Sequence, residues 1–205
     1  MSRKGSDLVT HENGKARCWW CGTDADYVAY HDHEWGQRTL PGMDDDTRHF
    51  EKIALEGFQA GLSWLTILRK RDAFRSAFHE FDIARISRMT ERNVTKLLSN
   101  AGIVRHRGKI EATINNAKAA LLIQREHGSF ADWLWLQVES SAAEKTPPPR
   151  SRNDLPAQTT GSTHLSKRLR KRGFRFVGPT TMYAFMQSVG MVNDHIVGCA
   201  FRAGH

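Results

Sequence analysis

Leu55-Glu56-Gly57-Phe58-Gln59-Ala60-Gly61-Leu62-Ser63-Trp64 is the stretch whose reading decides the fold. Just upstream, Phe50, Ile53 and Ala54 fall on one helical face, so Glu56 stands near the end of an amphipathic helix. Gly57 and Gly61 interrupt that pattern, and a second helix is expected over 62–71 with Trp64 near its start. A carboxylate closing one helix and a large aromatic opening the next is an arrangement that lines a pocket. An ordinary helical corner, with Glu56 solvated and Trp64 in the core, fits these ten residues equally well.

The flanks extend the same pattern. Asp44-Asp45-Asp46-Thr47, after a Pro41-Gly42 turn, supplies acceptors and negative charge for a helix N-terminus. Downstream, 72–78 and 82–88 read as short helices, each opened by an Asp. Thr90 caps the next, with Val94, Leu97 and Leu98 inward. A longer helix carries Ile110, Ile114, Ala117, Leu121 and Leu122 and stops at Gly128, and an apolar helix spans 130–138. Residues 139–163, rich in Ser, Thr and Pro, read as a loop or partly disordered link. A basic helix over 166–172 and a last one opened by Pro179 complete the set. With no strand alternation and no internal repeat, the class is all-α. Residues 1–16 read as a flexible extension before one domain over 17–205, whose first part, CWWCG and YVAYHDHEWG, is expected to be an irregular aromatic arm.

The 205 residues, 40% hydrophobic and 25% charged, suit one soluble globular domain. No apolar run approaches the roughly 20 residues needed to cross a bilayer. The polar N-terminus lacks the apolar middle of a signal peptide, so the expectation is a cytoplasmic protein with no membrane partner. A net charge of +8 favours a polyanion such as nucleic acid or an anionic membrane surface. Three cysteines argue against a secreted disulfide framework and leave metal or redox roles open.

Cys18, His31, His195 and Cys199 are candidate zinc ligands, two sulfurs and two imidazoles being a common tetrahedral set. His195 and Cys199 are spaced i, i+4, so on a helix both project from one face. The site would pin the N-terminal arm to the C-terminus. The plainer reading has His195 hydrogen-bonded at the surface and Cys199 as a small core residue. Cys18-Trp19-Trp20-Cys21 is also a CxxC, which binds metal by itself or forms a redox pair, although no βαβ pattern accompanies it.

The segment 94–114 reads as helix, glycine-bearing hairpin, helix. Backbone N–H groups there can hold a phosphate, reinforced by Arg105, Arg107 and Lys109. Gly102-Ile103-Val104 lacks the second glycine of the usual Gly-hydrophobic-Gly pattern, and a plain helical corner with solvated arginines is the alternative. Lys167, Arg168, Arg170, Lys171, Arg172 and Arg175 form a second basic cluster, mostly a solvated face.

Taken together, YVAYHDHEWG, LEGFQAGLSW, AGIVRHRGKI, KRGFRFVGPTTMYAFMQSVG and NDHIVGC resemble the DNA-3-methyladenine glycosylase I family, from about Arg17 to Cys199. The resemblance implies a helix-hairpin-helix glycosylase fold, two helical lobes with a cleft between them. It implies a structural zinc on Cys18, His31, His195 and Cys199, leaving Cys21 a bystander. It implies a base pocket with Glu56 and Tyr30 in catalysis, Trp20, Tyr27 and Trp64 on the base, and Trp35 nearby. It further implies that the turn Gln59-Ala60-Gly61-Leu62 probes the gap left by a flipped base. The hairpin from Gly102 through Arg105, Arg107 and Gly108 to Lys109 would hold phosphates.

The implied partner is double-stranded DNA containing alkylated bases, and the implied working unit a monomer. Other enzymes of this fold use an aspartate after the hairpin. No general base is assigned here, Asp132 and Asp194 suiting helix-capping or zinc-shell roles better. The implied activity is monofunctional release of 3-methyladenine. A non-catalytic protein that marks alkylated DNA is the alternative, and a zinc-stapled interaction module without DNA is a third.

Overall fold

The computed structural model describes residues 7–140 and 147–202. Its helices are α1 (Ala25–His33), α2 (Asp45–Gln59), α3 (Trp64–Arg69), α4 (Arg71–Ala77), α5 (Ile83–Ser87), α6 (Glu91–Leu98), α7 (Arg107–His127), α8 (Phe130–Glu139), α9 (Thr160–Lys171) and α10 (Pro179–Ser188). The helical class holds, with one addition. Strands β1 (Leu8–Thr10) and β2 (Ala16–Cys18) pair antiparallel, Leu8 opposite Cys18. The boundary expected at Arg17 therefore falls inside a hairpin, and residues 7–16 belong to the folded unit. Residues 1–6 lie outside the described residues.

Helix α2 is the axis. Asp44 accepts from the Thr47 N–H at 2.9 Å and caps its start. Asp46, in the first turn, crosses to cap α8, accepting from Phe130 N (3.0 Å), Ala131 N (2.7 Å), Ser129 Oγ (2.8 Å) and Gln124 Nε2 (2.7 Å). One acidic side chain thus joins three elements, and its pKa stays below the ordinary aspartate value because those donors outweigh its burial. Residues 48–58 of α2 are buried, with α3, α7, α8 and α10 packed against the helix. Glu56 and Gln59 sit on its last turns, between these groups.

Three local expectations are corrected. The aromatic arm is not irregular: Asp24 accepts from Asp26 N and Tyr27 N and starts a regular helix, α1. Helix α9 begins at Thr160 rather than Ser166, because Thr159 caps it by accepting from Ser162 N. Residues 193–199 are not helical, so the spacing of His195 and Cys199 does not put them on one helical face; a turn separates them, Cys199 N bonding Ile196 O at 2.9 Å.

The arm meets the C-terminus at backbone distance. Gly36 N donates to Ser188 O (3.2 Å) and Ala200 N to Ala16 O (2.8 Å). Gly190, at φ +76°, closes α10 so tightly that a Cβ there would stand 2.4 Å from the Gly36 carbonyl oxygen. Gly190→Ala combines a disfavoured φ with a backbone collision and is expected to cost about 2–4 kcal/mol. A thermal melt checks this, and an unchanged melting temperature would contradict the contact.

Candidate functional site

Between the α1 arm, the end of α2, the start of α3 and α10 lies a cavity of about 230 Å³. It is smaller than the roughly 300–1,000 Å³ typical of drug-sized ligand sites, which suits one planar base rather than a whole nucleotide. Trp20, Tyr27, Tyr30, Trp35, Glu56, Gln59 and Trp64, all singled out from the sequence, line it together. Trp20 is the hub of the cage, with ring centroids 5.1 Å from Tyr27 and 4.9 Å from Trp35. Tyr30 and Trp64 meet at 5.4 Å. The Trp64 indole N–H is buried and unpartnered among the described residues.

Glu56 is 5% exposed, and none of the described side chains or amides hydrogen-bonds it. Burial pushes its carboxyl up to about 8, against the pull of Lys52 one turn earlier. Lys52 is itself buried beneath the cage, 4.5 Å from the centre of the Tyr30 ring. It pairs with Glu34 at 2.5 Å, and Arg71 reaches the other oxygen of the same carboxylate at 2.5 Å. Burial alone would raise Glu34, but these two cations hold it down to about 2. The fixed charges below the cage are therefore paired, and Glu56 remains the unpaired acid facing the cavity.

Trp19, Leu155, Ala184 and Gln187 also line the cavity and were not assigned to it from the sequence, Trp19 being read only as part of the aromatic arm. Leu155 comes from the stretch expected to be a loop, and its described part, 147–159, is a loop that folds back onto the cavity. A short turn, Arg152–Asp154, precedes Leu155, and the Pro149 carbonyl receives Val197 N at 2.8 Å. Residues 141–146 lie outside the described residues. Of the two aspartates considered as bases, Asp132 lies at the surface beside Arg38 (3.5 Å). Asp194 accepts from Tyr183 Oη (2.5 Å) and from Gln187 Nε2 (2.8 Å), next to the cavity wall.

Behind the arm, ligand-type atoms of Cys18, His31 and Cys199 lie within 4.8 Å of one another, a group able to hold a metal ion. His31 Nδ1 bonds Asp32 at 2.9 Å, and Asp32 is fixed by Arg17 at 2.7 Å, so His31 Nε2 faces Cys199 Sγ. His195 stands outside that trio but against it, its ring centroid 5.2 Å from that of His31. Its Nδ1 is held by Asn193 at 3.0 Å, while its Nε2 is buried and unpartnered among the described residues. Hydrogen bonds from Cys18 and then His31 favour the Cys199 thiolate. Cys21 Sγ turns to the Cys18 carbonyl instead, at 3.2 Å.

The hairpin runs from Ser99 to His106 between α6 and α7. Gly102 packs so closely on Ala73 and Asn100 that a Cβ would lie 2.9 Å and 3.0 Å from them. Arg105 and Arg107 are exposed, the latter paired with Glu91 (2.6 Å) and Glu111 (3.2 Å). Gly108 is in the first turn of α7. Lys109 departs from expectation: it is 7% exposed, and its ammonium donates to Phe58 O (2.9 Å) and Ala60 O (2.7 Å). The uncapped carbonyls ending α2 carry partial negative charge and draw it inward. Gly61, at φ +84°, turns the chain so that Leu62 is left 42% exposed beside the cavity.

Residues 20–203 match the family described as methyladenine glycosylase. The chain is 46% identical to DNA-3-methyladenine glycosylase 1 of Escherichia coli (strain K12), covering 92% of this chain and 98% of that protein. It is 45% identical to DNA-3-methyladenine glycosylase of Haemophilus influenzae, over 89% and 96%. Among solved structures, a crystal structure of 3-methyladenine DNA glycosylase I is similar at a TM-score of 0.84 and 48% identity, covering 91% of this chain and all (100%) of that one. A structure of the Staphylococcus aureus enzyme, described as the structural basis of 3-methyladenine recognition, is similar at 0.82 and 35% identity, over 92% and 97%.

Proposed function

We propose that this chain, which belongs to the methyladenine glycosylase family, is a base excision repair glycosylase that flips 3-methyladenine out of alkylated duplex DNA and releases it. The observation that carries this reading is an aromatic cage closing on a buried carboxylate that has no counter-ion of its own. Methylation at N3 gives the nucleotide a positive charge. The faces of Trp20, Tyr27, Tyr30 and Trp64 attract a cation, more strongly with water excluded. Glu56 accepts hydrogen bonds from the exocyclic amine and supplies the opposite charge, and Tyr30 orients the base. Neutral adenine offers less against the cost of keeping Glu56 ionised in this cavity.

The reaction needs no acid to activate the leaving group. The bond between deoxyribose C1′ and base N9 breaks, its electron pair stays on the base, and the positive charge of the base is discharged. Water adds to C1′ and gives up a proton, leaving an abasic site. Unstacking the base costs a few kcal/mol, offset by the cage and by backbone contacts. For those contacts we assign Gln59, Gly61 and Leu62 to the gap in the duplex, and Gly102, Arg105, Arg107 and Gly108 to phosphates. The two buried lysines, Lys52 and Lys109, are held by Glu34 and by backbone carbonyls, which favours hydrolysis over Schiff-base lyase chemistry.

For the group behind the arm the fitting metal is zinc, held by Cys18, His31, His195 and Cys199. The donor set, the orphaned His195 Nε2 and the Asp32–His31 hydrogen bond support that assignment. Zinc would act there only as a structural clasp. Only five large apolar side chains among the described residues are exposed, Leu62, Leu122, Leu136, Phe176 and Val197, and we assign a monomer as the working unit. None of the described helices is long and apolar enough to cross a membrane; the proposed DNA substrate is what supports a cytoplasmic enzyme.

The test is to incubate the protein with methylated duplex DNA and quantify every base released across pH. Free 3-methyladenine with little 7-methylguanine is expected. Base binding requires ionised Glu56, so kcat/KM should rise with pH through about 8, the value for the free enzyme. The bound cation favours the carboxylate, so the midpoint in kcat should lie lower. DNA binding without release of any base would overturn the reading.

A further inference from the structure

We propose that Lys109 is a positioning residue: it fastens the phosphate-binding hairpin to the turn 59–62, so that gripping the backbone drives that turn into the duplex. This rests on the glycosylase reading above. Lys109 lies in the first turn of α7, directly after the hairpin. Its side chain runs away from the exposed hairpin face and ends on Phe58 O and Ala60 O, the carbonyls at the very end of α2. Glu56 and Gln59, both lining the cavity, are on the same last turns. The turn is otherwise closed by one short bond, Leu62 N to Gln59 O at 2.6 Å.

A second lysine makes the reciprocal tie. Lys70, at the end of α3, donates to the hairpin carbonyls of Ala101 (3.0 Å) and Gly102 (3.4 Å). The hairpin is thus bound to the helix before the turn and to the helix after it. Each tie is an ammonium on carbonyls that would otherwise lack partners. Such bracketing makes hairpin and turn one body. Without it the turn can lag behind the hairpin, and a misplacement of about 1 Å costs as much as 100-fold in rate.

The experiment compares Lys109→Met, Lys109→Arg and Lys70→Met with the parent enzyme. Single-turnover release of 3-methyladenine should slow roughly 10- to 100-fold in Lys109→Met and a few-fold in Lys70→Met, with most of the rate restored in Lys109→Arg. Affinity for free 3-methyladenine, read by tryptophan fluorescence, should stay within about twofold. The slope of log K against log salt for undamaged DNA should not change, because Lys109 neutralises no phosphate. A slope lower by about one would make Lys109 a phosphate ligand and overturn the proposal. So would a parallel loss of free-base affinity, or full rates in Lys70→Met and Lys109→Met. If Lys109→Met does not fold, a full rate in Lys70→Met alone decides against the coupling. Failure of the parent enzyme to release the base would instead defeat the underlying glycosylase reading.

Discussion

Glu56→Gln is expected to lower release of 3-methyladenine at neutral pH by 100-fold or more, on the order of 3 kcal/mol of lost transition-state stabilisation. The substitution keeps shape and burial but removes the charge that balances a cationic base in a closed aromatic cage. Affinity for undamaged DNA should be unaffected, since phosphates are held at the hairpin. The same substitution should make the protein more stable. The folded-state pKa of Glu56, about 8, lies above its ordinary value. Its contribution to stability is therefore fully present below that ordinary value and is lost as pH rises through about 8. Glutamine loses nothing over that window. The melting temperature of the variant should exceed that of the parent by a margin that widens from about pH 5 to about pH 9. Unchanged excision by Glu56→Gln would remove the carboxylate from the mechanism; a melting difference independent of pH would contradict its burial as an acid.

Cys199→Ser is the second large effect. It removes a sulfur from the group that gathers β2, α1 and the C-terminal turn, and with it the proposed metal. Losing a structural metal falls among the changes that cost more than about 4 kcal/mol. At roughly 2–4 °C per kcal/mol, a domain of this size should melt about 8–16 °C lower. Activity should fall even where the protein remains folded, because the arm behind the cage carries Trp20, Tyr27 and Tyr30. Metal content by mass spectrometry checks the assignment: one zinc per parent chain and little in the variant is expected. Full occupancy in Cys199→Ser would sink the ligand set.

The sequence reading located the helices around α2 because they leave local marks, whereas the aromatic members of the cage other than Trp64 were assigned to it only through the family resemblance. Alternating helical faces, Asp and Thr caps, and aromatic residues crowded beside a histidine are visible one segment at a time. What it missed depends on partners far along the chain. Helix α1 carries a weak apolar pattern because its buried side holds His31 and Tyr30 rather than aliphatics, and its one local mark, the Asp24 cap, was not read. Leu155 lies in a stretch whose composition says loop, and nothing local says that the loop returns to the cavity. Lys109 was legible as a cation but not in its direction, which is set by carbonyls about 50 residues earlier that no other group caps.

The close approach of Gly36 to Gly190, and of Ala16 to Ala200, has a consequence for how the molecule is made. The arm that walls the cage is translated more than 150 residues before the segment that braces it. Helices α4 to α7 are neighbours in sequence and can consolidate early, through contacts of low sequence separation. The arm can only partly do so: Glu34 finds Lys52 and Arg71 early, but its other supports lie in residues 188–200. A nascent or truncated chain should therefore hold much of its core and none of its activity.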